Sequence, residues 1–215
     1  MAEQKVLIVG SGLIGTSIAL ALVSRNHPVF ISDSDPSAVQ AALAKSGATE
    51  WDGQTQVDLV VVATPPAVTA SVIRNLLAVQ LHAVVTDVSS VKGAIFAELA
   101  DLSSADLGRV VGGHPMAGRE VSGAAAALSN LFVDRSWVIT RNVHTTDASF
   151  AAVEKLALEL GAIPIERSIE EHDRAVALIS HTPQVVASVL ASQLISAPDS
   201  DVALAGQGLR DTIRI

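Results

Sequence analysis

The chain has 215 residues, 49% of them hydrophobic but only 3% aromatic, and a formal net charge of −8. A chain this acidic is repelled by nucleic-acid phosphates and anionic membrane surfaces, so neither is expected as a partner. It has no cysteine, which excludes disulfides and thiolate metal sites. The length suits one medium domain, or one domain plus part of another. The N-terminal run MAEQKVLIVG enters a strand pattern without a cationic region and cleavage site. No targeting segment is expected, and a cytoplasmic protein is the default reading.

In chain order, KVLIVG (5–10) predicts a buried strand and TSIALALVSRN (16–26) a helix. PVFIS (28–32) predicts a strand and PSAVQAALAKSG (36–47) a helix. VDLVVVA (57–63) predicts a third strand and PAVTASVIRNLLAVQ (66–80) a third helix. HAVVTD (82–87), RVVGG (109–113), SWVIT (136–140) and AIPIE (162–166) supply four more strands, with helix SFAAVEKLALELG (149–161) before the last. Strands alternating with helices predict βαβ units and a mostly parallel, doubly wound α/β sheet.

Past Ser168 the pattern becomes helical, with Pro183 expected to kink or break it. Residues 1–168 are read as one domain and 169–215 as the beginning of an all-helical domain, incomplete at this length. Two apolar stretches resemble membrane spans. Residues 13–23 are too few to cross a bilayer. Residues 175–197 are numerous enough but contain His181, Pro183 and Gln184, and are read as a buried helix of a core or subunit interface.

GSGLIG, from Gly10 through Ser11, Gly12, Leu13 and Ile14 to Gly15, fits G-x-G-x-x-G. It follows a predicted strand, opens a predicted helix, and precedes Asp33 by the spacing of a ribose-binding acid. Gly10 would permit the tight turn, Gly12 the approach of a pyrophosphate, and Gly15 close packing of helix on strand. The helix N-terminus would supply N–H groups and positive potential. The alternative is a purely structural glycine turn. The context favours a Rossmann-like dinucleotide site. Asp33 would accept from both ribose hydroxyls of NAD and repel the 2′-phosphate of NADP, so NAD is the expected cofactor.

Ligands of open α/β sheets bind outside the carboxyl ends of the strands. Three loops with unusual chemistry leave such ends: ATPP (63–66), with Thr64 and Pro65 read as cofactor-binding, DVSSVK (87–92), and GGHPMAG (112–118). In the last, the glycines allow close approach, and Pro115 disfavours helical backbone at His114. The imidazole is expected on a stiff, irregular turn facing the cofactor. An imidazole suits proton uptake at neutral pH, which a dehydrogenase acting on a carbinol needs. Ser90 would orient it or bond the same hydroxyl. The alternative is a capping or core histidine. The six histidines lack metal-ligand spacing, so no metal is expected. Arg210 and Arg214 stand i, i+4 and would clamp a carboxylate if helical, or form a solvated surface pair with Asp211.

VLIVGSGLIGTSIALAL, TDVSSVK, VGGHPMAG, DRAVALISHTP and GLRDTIRI, in this order, resemble the prephenate dehydrogenases and the related arogenate or cyclohexadienyl dehydrogenases, over essentially the whole chain. The resemblance implies NAD(P)-dependent oxidative decarboxylation in tyrosine biosynthesis. Hydride leaves the ring carbon bearing the hydroxyl, and the ring carboxylate departs as carbon dioxide. By this resemblance His114 deprotonates the ring hydroxyl and Ser90 assists. Arg214 binds a substrate carboxylate, His181 and Glu120 line the pocket, and Lys92 and Arg210 support it. It also implies a homodimer through the helical region. Arg119 departs from the smaller residue usual after the histidine motif, either altering substrate choice or lying at the surface. Prephenate and arogenate both fit. Two rivals are a β-hydroxyacid dehydrogenase, weakened because no lysine follows Lys155, and a non-catalytic NAD-sensing module.

Overall fold

In the computed structural model, which describes residues 4–213, the β-branched runs form the strands of one eight-stranded sheet. The elements are β1 (Val6–Val9), α1 (Leu13–Val23), β2 (Val29–Ser32), α2 (Pro36–Ser46), β3 (Thr49–Glu50), β4 (Leu59–Val62), α3 (Pro66–Val79), β5 (Val84–Asp87), α4 (Gly93–Glu98), α5 (Ser104–Gly108), β6 (Val110–Pro115), β7 (Ser136–Thr140), α6 (Asp147–Glu159) and β8 (Ile163–Arg167). Helices α7 (Ile169–Val176), α8 (Thr182–Ser192), α9 (Asp199–Val202) and α10 (Gln207–Ile213) follow. All seven predicted strands are present. Strand β3 and helices α4 and α5 were not expected, and α1 starts three residues before the predicted 16 and ends three before 26.

The strand order is β3-β2-β1-β4-β5-β6-β7-β8. Every pairing is parallel except β6 with β7. The chain works outward from β1 to β3, then returns to β4 on the other side of β1. That reversal opens a crevice beyond the carboxyl ends of β1 and β4.

Two-residue alternation divides the core. Val6 and Ile8 of β1 and Leu59 and Val61 of β4 pack on one face with Ile18 and Leu22 of α1. Leu7, Val60 and Val62 pack on the other with Ile73 and Leu77 of α3. Both faces of these strands are therefore apolar, which is why their sequences read as continuous hydrophobic runs. Each such side chain contributes about 1.5–3 kcal/mol when fully buried. Helix α2 shows its local signals plainly: Asp35 caps it by accepting from the Ser37 amide at 2.8 Å, Pro36 opens it, and Gly47 closes it at φ 75°.

Strand β6 is longer than expected. Val110 and Val111 pair in parallel with Val85 and Thr86 of β5. Gly112 through Pro115 then pair antiparallel with residues 137–140 of β7. His114 is extended, as its proline neighbour requires, but it belongs to a strand and not to an irregular turn.

The chain divides into two compact units that part between His172 and Asp173, within α7. In the second unit Pro183 does not break the helix. The helical backbone runs on through it, and the lost N–H falls directly after a π-helical turn at Ala177–His181, where the regular i−4 ladder is already interrupted. The stretch Ile169–Ser192 is long and apolar enough to cross a bilayer by length and composition. It is not a buried core helix within the described residues, because Leu178, Ile179, Val185, Val186 and Val189 are exposed.

Candidate active site

The glycine turn is built by steric need. Gly10 holds φ 107°, and a Cβ there would lie 2.3 Å from the Ala63 carbonyl oxygen. A Cβ at Gly15 would lie 2.0 Å from the carbonyl oxygen of Gly10. Helix α1 thus sits against the turn with no room for a side chain. Gly12 differs: a Cβ there would meet no protein atom within 4 Å, so packing does not explain its glycine. The Thr16 hydroxyl donates to the Ser11 carbonyl at 3.0 Å and ties the turn to the helix.

The turn forms one wall of a cleft of about 1270 Å³. Gly10, Ser11, Gly12, Leu13 and Ile14 line it, with Asp33 after β2, Thr64 and Pro65 after β4, Ser90 after β5, and Gly123–Ala125. Gly15 stands behind it, buried in α1. None of the described lining residues is lysine or arginine.

Asp33 and Asp35 are the two charged residues of the described cleft lining. Asp33 Oδ2 accepts from the Ser11 amide at 2.7 Å and the Ser11 hydroxyl at 2.8 Å. Its Oδ1 accepts from the Asp35 amide at 3.0 Å and, at a long 3.4 Å, from the Ser34 hydroxyl. Partial burial opposes ionisation, but these four donors together outweigh it and hold the carboxyl below its ordinary range. The long Ser34 contact is the weakest of the four, so Oδ1 is the oxygen at which an incoming hydroxyl would displace a donor.

Thr69, fully buried on α3, joins two walls: its hydroxyl lies 3.1 Å from that of Thr64 and 3.3 Å from that of Ser89. Next to this loop, the Asp87 carboxylate ends β5. It accepts from the Ser89 amide at 2.9 Å and the Gly113 amide at 3.3 Å, and pairs with Lys92. Both Lys92 and Asp87 are buried. The β5–β6 register brings their carboxyl ends to the same sheet edge. The two glycines of GGHP serve that packing: a Cβ at Gly112 would lie 2.2 Å from Oγ1 of Thr140, and one at Gly113 would lie 2.5 Å from the Asp87 carbonyl oxygen.

Beyond them His114, half-buried, directs Nδ1 at Nε2 of His172 across 2.9 Å. Sequence reasoning gave His172 no role. A signal for it existed: within IEEHDRAV it takes the face of Ile169 and Val176, three and four residues away, amid charged neighbours. Glu120 is exposed in the turn after β6. Arg119 donates to the Ala126 carbonyl at 2.8 Å, next to the Gly123–Ala125 wall. In the second unit, His181 ends the π-helical turn and Arg210 is exposed on α10. Arg214 lies outside the described residues.

Comparison with known proteins accords with this geometry. Residues 18–166 match the family model described as the prephenate dehydrogenase nucleotide-binding domain, and residues 168–215 the prephenate dehydrogenase dimerization domain. A Streptomyces niveus protein named "Probable prephenate dehydrogenase NovF" is 38% identical over 93% of this chain and 55% of its own length. The structure of prephenate dehydrogenase from A. aeolicus in complex with hydroxyphenyl propionate and NAD+ superposes with TM-score 0.89 at 28% identity, covering 100% of this chain and 78% of that one. The Synechocystis arogenate dehydrogenase gives TM-score 0.79 at 32% identity, covering 98% and 78%. This chain spans about half the length of the curated relatives it matches. On both of its parts, the chain belongs to the prephenate dehydrogenase family.

Proposed function

We propose that the protein catalyses the NAD-dependent oxidative decarboxylation of prephenate to 4-hydroxyphenylpyruvate, as a cytoplasmic enzyme of tyrosine biosynthesis. The observation that carries this reading is the sheet edge itself: His114 follows Gly113, whose amide donates to Asp87, and the loop that leaves Asp87 reaches the cleft of the glycine turn at Ser89 and Ser90.

The cleft fits a dinucleotide. Gly12 leaves open space where any other residue would carry a side chain, α1 presents its N-terminus there, and Asp33 offers an acceptor. Ser11, Gly12, Leu13 and Ile14 would meet the pyrophosphate, Asp33 the ribose, and Thr64 and Pro65 the opposite side. Asp33 is held ionised, and the absence of arginine and lysine from the described lining favours NAD over NADP. Bound NAD supplies the hydride acceptor.

The chain's own residues handle the proton. His114 accepts the proton of the ring hydroxyl as the C–H bond at that carbon breaks. Ser90 hydrogen-bonds the same oxygen and fixes its direction. Loss of the ring carboxylate as carbon dioxide leaves its electron pair to the ring, which becomes aromatic, and the ring oxygen takes its proton back from His114 to give the phenol. Arg214, His181, Glu120 and Arg210 keep the substrate-binding roles that the motif match implies. The exposed apolar residues of α8 are read as a homodimer surface, supported by the match to a dimerization domain.

The test is an assay of the protein with prephenate or arogenate and with NAD or NADP, following reduced nucleotide. Turnover of prephenate with NAD is expected. Preference for arogenate would reassign the substrate, and no turnover of either would defeat the reading. The variant H114N should keep NAD binding and lose turnover by orders of magnitude.

A further inference from the structure

A buried imidazole needs a partner for the ring nitrogens that water cannot reach. His172 is 1% exposed. Its ring meets that of His114 edge to face, with centroids 5.2 Å apart and planes at 75°. The 2.9 Å separation of His114 Nδ1 from His172 Nε2 demands one donor and one acceptor. Two lone pairs would repel at that distance, and two N–H groups would collide. The tautomers of the two rings are therefore coupled.

Two arrangements satisfy the contact. If His114 donates from Nδ1, its lone pair lies on Nε2. If His172 donates from Nε2, the lone pair of His114 is spent at Nδ1 and its Nε2 carries a hydrogen. Only the first leaves His114 able to take a proton at Nε2, the nitrogen that the pair does not use. The backbone of His114 is already fixed by pairing with Val138, and its neighbour Gly113 by the Asp87 carboxylate, so the remaining freedom is that of the ring and its proton.

We propose that His172 is a positioning residue for the reaction. It accepts the Nδ1–H of His114, holds the base in the tautomer with its lone pair on Nε2, and stabilises the imidazolium that forms there. This rests on the reading of His114 as the base. The proton balance is simple. Neutral His114 gains the hydroxyl proton at Nε2 and becomes a cation, its Nδ1–H still donated to a neutral His172. As carbon dioxide departs, its electron pair reaches the ring oxygen, which takes the Nε2 proton back, so the product leaves as the phenol and His114 is neutral again. The role parallels that of a carboxylate orienting a catalytic imidazole, with a neutral acceptor in its place.

The test compares H172L, which keeps an apolar filling, with H172Q, whose amide oxygen can stand where Nε2 stood. In H172L, kcat should fall on the order of 100-fold with KM for NAD unchanged. In H172Q it should recover to within about tenfold of the parent. Nitrogen-15 correlation spectra of the parent protein should show His114 protonated at Nδ1, and those of H172L should show the proton moved to Nε2. Equal kcat in the two variants, or an unchanged His114 tautomer in H172L, overturns the proposal. If H172L does not fold, the parent spectrum decides alone, and a His114 proton on Nε2 there overturns it. H114N retaining turnover would instead bring down the assignment of the base.

Discussion

Asp33 is one of two carboxylates that line the cleft, and its ionisation has two measurable consequences. Its carboxyl is held below the ordinary range by Ser11, Asp35 and Ser34 donors acting against partial burial. A depressed pKa in the folded state adds stability above the unfolded value, about 3.9, and that contribution disappears as pH falls through the folded value. D33N should therefore be less stable than the parent at pH 7, with the gap in urea midpoint closing as the solution is acidified below pH 4. The same variant should raise kcat/KM with NADP relative to NAD by about tenfold, because a repulsion with the 2′-phosphate is removed. Gly12 and Gly15 make a sharper contrast. G12A should leave the thermal midpoint almost unmoved while weakening NAD binding by about tenfold or more. G15A drives a methyl group into the Gly10 carbonyl and should cost on the order of 1–3 kcal/mol in chemical denaturation. The glycine turn and the placement of Asp33 beside it were legible in the sequence because they reside in local spacing. His172 was not, since its partner lies 58 residues away and only the folded chain brings the two together.

At the scale of elements, the loop after β5 is fastened from beneath by the buried pair of Lys92 and Asp87. Removing one partner of such a pair strands a charge in a poor solvent. K92M should lose about 3 kcal/mol of stability in urea titration, and D87N/K92M should regain part of it. The seven predicted strands were legible because each is a β-branched run bounded by turn residues. Strand β3, at two residues, and helices α4 and α5, at six and five, are too short to show a period. The end of β6 was misread for a different reason. Gly-Gly-His-Pro has the local chemistry of a turn, but the antiparallel ladder to β7 holds it extended, and its glycines answer to Thr140 and Asp87. Tertiary pairing overrode local preference there.

For the molecule as a whole, the second unit carries exposed valine and leucine side chains that a solitary chain gains nothing by displaying. Val185 and Val189, one turn apart on α8, are 60% and 57% exposed. The proposed homodimer should dissociate in V185D/V189D, with its Kd weakened about 100-fold by sedimentation velocity and NAD binding intact. The helical nature of this region was legible. Its exposure was not, because an apolar face looks the same in sequence whether it packs within its own chain or against another. The two-sided attachment of β6, parallel on one flank and antiparallel on the other, bears on how the proposed proton acceptor is prepared. A group mounted on a loop would have to be frozen anew at each turnover. Here the freezing is accomplished once, when the sheet zips up, and each arriving substrate meets a backbone that has already surrendered its entropy.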